Sequence, residues 1–359
     1  MDWMRTKVEN IKYCICVVLL ILLDSCVNRE ITIMTEDKIT YPQVENADLS
    51  EVLYADKLIV SDSFLVVINR KAEPFFYIYD ADSFLFKEKF GFSGNGPEDF
   101  LFPFFMNQTD SVSEHVSVYD VNLASFKDIN IKRLLAHEEK AIVSSSMPSA
   151  LIGASVLVEN NHLYYGNIDS GEGLFFVYDS ILNVRNWISF PSSLLPSEGD
   201  FTVMNSNRIA VNTRLNRVVS GMRFYNKLYL YDVEKKEMLK EVMIGRNSIF
   251  PILEGQSING ESQLCCMETH ATDQYVYVLM QRVREKDWDN ADGEPSRIIV
   301  LDWELNYVKT YQLAHHTNSF AIDVRNNRIL YTAANDEGHT ILYYWKETFD
   351  AVSYTHLRA

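Results

Sequence analysis

The residues most able to do chemistry lie in a few places, and each can be weighed against what its chemistry requires. Asp287-Trp288-Asp289-Asn290-Ala291-Asp292-Gly293-Glu294 has the acidic spacing of a calcium loop. Such a loop needs oxygen ligands at alternate positions and a glycine at the sixth. Here Ala291 stands at the third ligand position and Asp292 at the glycine position. Asp287, Asp289 and Asp292 therefore make only weak candidates for calcium, and the expectation is a solvated acidic hairpin loop with no metal and no cofactor. Cys265 and Cys266 are adjacent, so on a strand they point to opposite faces. With no CxxC and no His pair nearby, they read as buried small apolar residues. His315 and His316 are opposed in the same way, and His162 and His270 read as isolated surface or loop histidines. Neither a GxSxG elbow nor an HExxH helix is present, and no catalytic residue is assigned. Carboxylates are plentiful, and a glycosidase needs only two of them facing one another. A carbohydrate site would use an exposed aromatic platform. Trp288, in the acidic loop, is the candidate, whereas Trp187, Trp303 and Trp345 fall in or beside strand patterns and read as core.

The elements that must position these residues are short. Hydrophobic residues make up 47% of the 359 and charged residues 23%, which is globular rather than disordered. Strand-like runs bounded by Asn, Asp, Ser and Gly follow one another from Ala47 onward, with Ile129–Lys140 the best helical candidate. The runs repeat. FFYIYD (Phe75–Asp80), HVSVYD (His115–Asp120), LFFVYD (Leu174–Asp179), KLYLYD (Lys227–Asp232) and RIIVLD (Arg297–Asp302) are versions of one strand, and ILYYW (Ile341–Trp345) is a last, degenerate copy. A turn-rich step precedes several of them: VENNHLYY (Val158–Tyr165), VNTRLNRVV (Val211–Val219) and VRNNRILY (Val324–Tyr331). The unit is strand, turn, strand, loop, Tyr-Asp strand, turn, strand, a four-stranded antiparallel meander. Its Tyr-Asp strand is apolar on both faces, as sheets stacked radially require and a two-layer sandwich does not. The terminal aspartate suits a turn, because its carboxylate accepts from backbone N–H groups two residues on.

Six such meanders predict an all-β, six-bladed β-propeller over residues 47–350. The blades fall near Lys57–Phe90, Pro103–Ser145, Leu151–Phe190, Thr202–Ile244, Thr269–Leu313 and Ser319–Phe349. Blade two fits least well, since its Tyr-Asp strand comes early and Ala124–Leu135 must be a strand or a helix. Ala47–Tyr54 is the expected N-terminal strand that completes the last sheet and hides its edges.

The N-terminus reads as an address. Arg5, Lys7 and Lys12 precede the apolar run Tyr13–Leu23, which is too short to span a bilayer. Residues 1–25 are a signal peptide in this reading. Leu23-Asp24-Ser25-Cys26 resembles a bacterial lipobox, with Asp24 where that pattern has a small or aliphatic residue, and Cys26 is the expected lipidation site. Residues 26–46 are a tether from the lipid anchor, although Ile31, Ile33, Ile39, Tyr41 and Val44 could equally supply an edge strand. Removing residues 1–25 leaves the formal net charge at −16, because three basic and three acidic residues go with them. That sign disfavours nucleic acid as a partner. At the other end, 351–359 contains SYTHLRA, which resembles translated adapter sequence and is left out of the fold reading.

One loop is singular. Phe90–Phe105, FGFSGNGPEDFLFPFF, resembles the G-x-G-x-GPGEF-x-x-P element of NHL-type propellers, matched at Gly91, Gly94, Gly96, Pro97, Glu98, Phe100 and Pro103. With the lipobox and the Tyr-Asp strands, the chain resembles the TolB-like and NHL-like six-bladed propeller lipoproteins of Bacteroidetes. The resemblance implies a propeller fold and an exported, cell-envelope location, as an outer-membrane lipoprotein with the membrane as partner; it carries no single activity. Read from its residues, the loop is first structural: its glycines permit special backbone geometry, Pro97 fixes a turn and Phe100 plugs the gap between blades. Glu98 and Asn95, with Trp288, are the ligand-binding candidates. The expected function is a ligand- or protein-binding module for a protein or glycan partner. The alternatives are an envelope hydrolase or lyase acting on glycans or lactones through channel carboxylates or a metal, and a structural member of a larger envelope complex.

Overall fold

The computed structural model describes residues 31–349 apart from 109–113, 152–155, 161, 168–171, 195–205, 256, 289–292, 336 and 348. The signal peptide, Cys26, Asp289, Asp292 and the 351–359 tail lie outside the described residues.

The chain is an all-β, six-bladed β-propeller whose sheets are mainly four-stranded and antiparallel. Blade one is Lys57–Ser61, Phe64–Ile68, Phe76–Asp80 and Phe86–Phe90, in spatial order from the axis outward. Blades three, four and five repeat the plan with Tyr-Asp strands Phe175–Asp179, Lys227–Asp232 and Arg297–Asp302 in third place. Blade six supplies three strands, Phe320–Asp323, Arg328–Ala334 and Thr340–Lys346, and takes its outer strand, Glu45–Asp48, from the N-terminus. The ring is thus closed by pairing the two ends of the domain. The closing strand lies two residues earlier than Ala47–Tyr54, because Leu49 and Val52 turn inward instead, both buried at the seam between blades six and one.

Blade two departs from the plan as its sequence suggests. Its Tyr-Asp strand, His115–Asp120, is second from the axis, and the ambiguous segment is both things in turn: strand Ser125–Asn130, then helix Ile131–Leu135. Asn130 caps that helix by accepting from the Arg133 N–H at 2.9 Å. Left-handed His137 and Lys140 follow it (φ 53° and 60°), so the helix stops well short of Lys140.

The repeated aspartate does what its position suggests. Asp80, Asp120, Asp179, Asp232 and Asp302 each accept from backbone N–H groups two to four residues on, at 2.8–3.2 Å. In four of these turns the residue four places after the aspartate is left-handed without being glycine: Phe84, Ala124, Asn183 and Lys236. That conformation costs an L-residue about 1 kcal/mol or more. Lys236 is exposed, so Lys236→Gly is expected to raise the unfolding free energy by about 0.5 kcal/mol, after the entropy glycine adds to the unfolded chain. Urea titration checks it.

Alternation of direction gives the ring two different ends. The turns between first and second and between third and outer strands lie at one, the hairpin end. The loops between second and third strands and the links from blade to blade lie at the other, the link end. Link-end segments are the longer, among them 245–265, which carries its own small hairpin (Leu253–Glu254 with Ser257–Ile258), and 281–296. The cores lie between blades, with both faces of the middle strands buried: every residue of Phe64–Ile68 and of Lys227–Asp232 is buried.

The N-terminal segment 31–48 wraps the rim. Ile31–Ile33 adds parallel to the outer strand of blade four and Ile39–Thr40 parallel to that of blade five, before Glu45–Asp48 closes blade six. Of the residues that could supply an edge strand, Ile31, Ile33 and Ile39 do so, while Tyr41 and Val44 lie between the strands.

Candidate functional site

Two clusters of polar and charged side chains stand toward the link end, one at the axis and one over blades four to six. The axial cluster is built on Glu268, in the inner strand of blade five. Its carboxylate accepts from Lys57 Nζ of blade one at 2.6 Å and from the Phe320 N–H of blade six at 3.0 Å, and it lies 3.4 Å from His270 Nε2. Three blades therefore meet on one side chain. Burial pushes the Glu268 carboxyl up, but Lys57 and His270 outweigh it and hold its pKa at about 2. On Lys57 the balance runs the other way. Burial, with repulsion from Arg208 and Arg70, draws its amine below the ordinary lysine range in spite of Glu268. His270 is thus neither a surface nor a loop residue, as its sequence context suggested. It sits in the inner strand, its ring edge-on to Phe320 at 4.6 Å. Arg208, in the inner strand of blade four, donates to the Met267 carbonyl of blade five at 3.1 Å.

The second cluster is assembled from loops. Trp288 is half-buried against the core, and its indole N–H donates to Asn318 Oδ1 at 3.0 Å. Gln281 Nε2 donates to the same oxygen at 2.9 Å. The Arg223 guanidinium, from blade four, stands 5.6 Å from the Trp288 ring and 4.0 Å from Glu285. Beside them lies His316, packed so closely on Gly293 that an added Cβ there would meet its ring at 2.8 Å. Burial pushes the His316 pKa below the ordinary histidine value, against the pull of the Glu294 and Trp288 backbone and the Asn318 side chain. His315 points elsewhere, stacked on Tyr343 at 4.2 Å and bonded to the Tyr331 hydroxyl at 3.0 Å, and burial lowers it too. Both histidines titrate lower in the folded than in the unfolded chain. Their stability contribution is present above the unfolded value near 6.5 and is lost as pH falls below it. Unfolding free energy is therefore expected to drop between pH 7 and pH 5, by at most about 1.4 kcal/mol per pH unit for each histidine. His316→Asn should flatten the slope, as denaturant titration across that range will show.

Of the other sequence candidates, Glu98 and Asn95 fall apart from this cluster and Asp287 lies beside it. Glu98 and Asn95 are exposed on the blade one to blade two link. The hydrogen bond that shapes this link is made by the neighbouring carboxylate: Asp99 Oδ2 accepts from the Gly96 N–H at 2.7 Å. Asp287 is engaged by the Arg284 guanidinium at 2.6 Å. Among the described residues no group of three or more His, Cys, Asp or Glu converges as metal ligands do. Cys265 and Cys266 are buried free thiols, and burial pushes the Cys266 thiol up to about 12. Trp303 and Trp345 are core. Lys127, which sequence reasoning passed over, is 2% exposed and donates to the Pro97 carbonyl at 2.8 Å, holding the glycine-rich link from beneath. A charged residue inside an otherwise buried run was the available signal for Glu268, while Lys127, in a strand that alternates and also carries the exposed Asp128, gave none.

No family model matches the chain and no curated protein matches it. Solved structures do. A member of the DUF4221 family from Bacteroides vulgatus superposes with a TM-score of 0.60 at 13% identity, covering 85% of this chain and 98% of that one. A protein from Bacteroides fragilis described as exported superposes with a TM-score of 0.54 at 12% identity, covering 88% and 100%. At these identities the likeness defines the class, a six-bladed β-propeller of the kind found in these Bacteroides proteins.

Proposed function

We propose that the chain is an exported, lipid-anchored cell-envelope propeller of the TolB-like or NHL-like kind, acting as a binding module with its ligand site at the link end. The observation that carries the site is the Trp288 cluster. An aromatic platform, two carboxamides, a guanidinium and a carboxylate converge there from three loops: that of blade four, 281–296 of blade five, and the link from blade five to blade six. An apolar face rimmed by hydroxyls, as a sugar presents, is what such a set recognises. Binding is favoured over hydrolysis at the axis because Glu268 is held ionised and saturated by Lys57 and a backbone N–H, which leaves it no proton to give at neutral pH. The lipobox-like Leu23–Cys26 and the export description of the Bacteroides fragilis protein support the location.

Two measurements test this reading. In detergent-phase partitioning the full chain is expected in the detergent phase and Cys26→Ala in the aqueous phase; wild type in the aqueous phase would remove the anchor. On a glycan array, Trp288→Ala is expected to lose at least tenfold in affinity at a temperature where circular dichroism shows the variant still fully folded. Equal binding by wild type and variant would move the site elsewhere.

A further inference from the structure

We infer that the hairpin end of blades three and four lies against a phospholipid bilayer, so that the link end and its Trp288 cluster face away from the membrane. This rests on the proposed acylation of Cys26. Ile31–Ile33 runs parallel to the outer strand of blade four, in the register Ile31 to Val242 and Ile33 to Ile244. That outer strand runs from Glu237 at the hairpin end to Ile244 at the link end. The chain therefore enters its first strand from the hairpin side. Five residue steps separate Cys26 from Ile31, a reach of at most about 18 Å. Ile31 stands opposite Val242, five residues from Glu237, so the anchor is tied within that reach of Ile31 and the chain leaves Ile31 in the direction of the hairpin-end rim of blade four.

The surface at that rim fits a lipid headgroup layer. Ile181 and Leu182, at the tip of the blade three turn, are 73% and 69% exposed. Val184 in the adjoining strand, Leu215 in the blade four inner turn (48%) and Leu239 in the blade four outer strand are exposed as well. Leu239 is put outside by a bulge, where the register with the third strand slips between Leu230 and Tyr231. Exposed apolar groups gathered at one end of two adjacent blades mark an interaction surface. The charges there are balanced: Arg185, Arg214 and Arg217 are paired with Glu172, Asp273 and Glu304, and Lys235 with Asp232 and Glu237, so it is the apolar groups and the chain's entry from this side that name the partner. Apolar side chains exposed beside an acyl anchor add to it in holding a protein at a lipid surface. The link end also exposes Leu53, Phe92, Leu101, Phe102, Phe250 and Ile252, but spread over three separate blade links, and the chain does not enter its first strand from that side.

The test uses the full-length acylated protein, with acylation of Cys26 read by mass spectrometry, bound to phosphatidylethanolamine vesicles containing phosphatidylglycerol. A bimane label is placed by Leu182→Cys, Leu215→Cys or Ile252→Cys, the native Cys265 and Cys266 being buried. Quenching by nitroxide lipids is expected to be at least twofold stronger at positions 182 and 215 than at 252. Equal quenching, or stronger quenching at 252, overturns the orientation. Labels at 182 shielded from aqueous iodide yet not quenched by lipid overturn it too, because a protein or a second copy then covers the surface. Ile181→Asp with Leu182→Asp should still float with the vesicles while quenching at 215 falls to the level of 252. If Cys26 carries no acyl group and the protein does not float, the anchor reading fails and the orientation with it. Acylation and flotation with the wrong quenching pattern defeat the orientation alone.

Discussion

Replacing Glu268 by Ala is expected to cost about 3–5 kcal/mol of stability, the toll of leaving one half of a buried ion pair without its partner. The carboxylate joins Lys57 of blade one to the backbone of Phe320 in blade six, and it sits in blade five itself. Its loss strands an amine already weakened by burial and a buried N–H together. The pair is not worth that much as a pair. Held at about 2 against an ordinary 4.5, the carboxyl alone would account for about 3 kcal/mol. The desolvation borne by Lys57 offsets part of that. Glu268→Leu combined with Lys57→Met should accordingly recover most of the single-mutant loss, since an apolar pair of similar volume removes the orphan charge. The pH dependence carries the matching sign. Glu268 is depressed in the folded chain, so its contribution is complete above its unfolded pKa and fades as pH falls from about 4.5 toward 2. Denaturant titration of the single and double variants checks the argument. A double variant as damaged as the single one would mean that packing, and not charge, decides this site.

Phe100→Ala is expected to be as damaging, about 3–5 kcal/mol, through the cavity it leaves between blades one and two. Phe100 is fully buried in the core those blades share, with Phe76 at 4.9 Å, Phe90 at 6.4 Å and the Lys127 amine 5.1 Å from its ring. The link around it is shaped to admit the ring. Gly91 has φ 82°, and a Cβ there would meet the Phe76 ring at 2.6 Å and the Phe100 ring at 3.3 Å. Removing Phe100 also strips the apolar cover from Lys127, a buried cation whose pKa burial already lowers. Leu101→Ala, one residue on and exposed, should change stability by no more than about 0.5 kcal/mol. Equal effects at the two positions would deny Phe100 its place as the plug.

These two residues also mark how far the fold and the site were legible before the structure. Phe100 could be found because its motif is local: glycines, a proline and an aromatic residue on one short link, with consequences confined to the seam they cross. The blades were legible for the same reason. Each Tyr-Asp strand announces its own turn, and a strand apolar on both faces needs sheets on both sides. Glu268 was hidden because its partner is 211 residues away and only ring closure brings the two together. The short rim strands Ile31–Ile33 and Ile39–Thr40 take their register from outer strands of other blades, so their own composition says little. Position 98 shows the opposite hazard. The motif drew the eye to Glu98, while Asp99, unremarkable in the pattern, makes the hydrogen bond. Trp288 was recognisable as an aromatic in a polar loop that also holds Gln281, but Arg223 and Asn318 became its neighbours only through the stacking of blades.

The central claim is that ligand meets this propeller at the link end, over blades four to six. Site-specific photocrosslinking in intact cells tests it most directly, with benzoylphenylalanine placed at Glu285, beside Trp288 and Arg223, and separately at Leu215 of the hairpin end. A discrete non-lipid adduct from position 285, absent from 215 and lost when Trp288→Ala is combined with the probe, is the predicted result. Non-lipid adducts from 215 with none from 285 would contradict it.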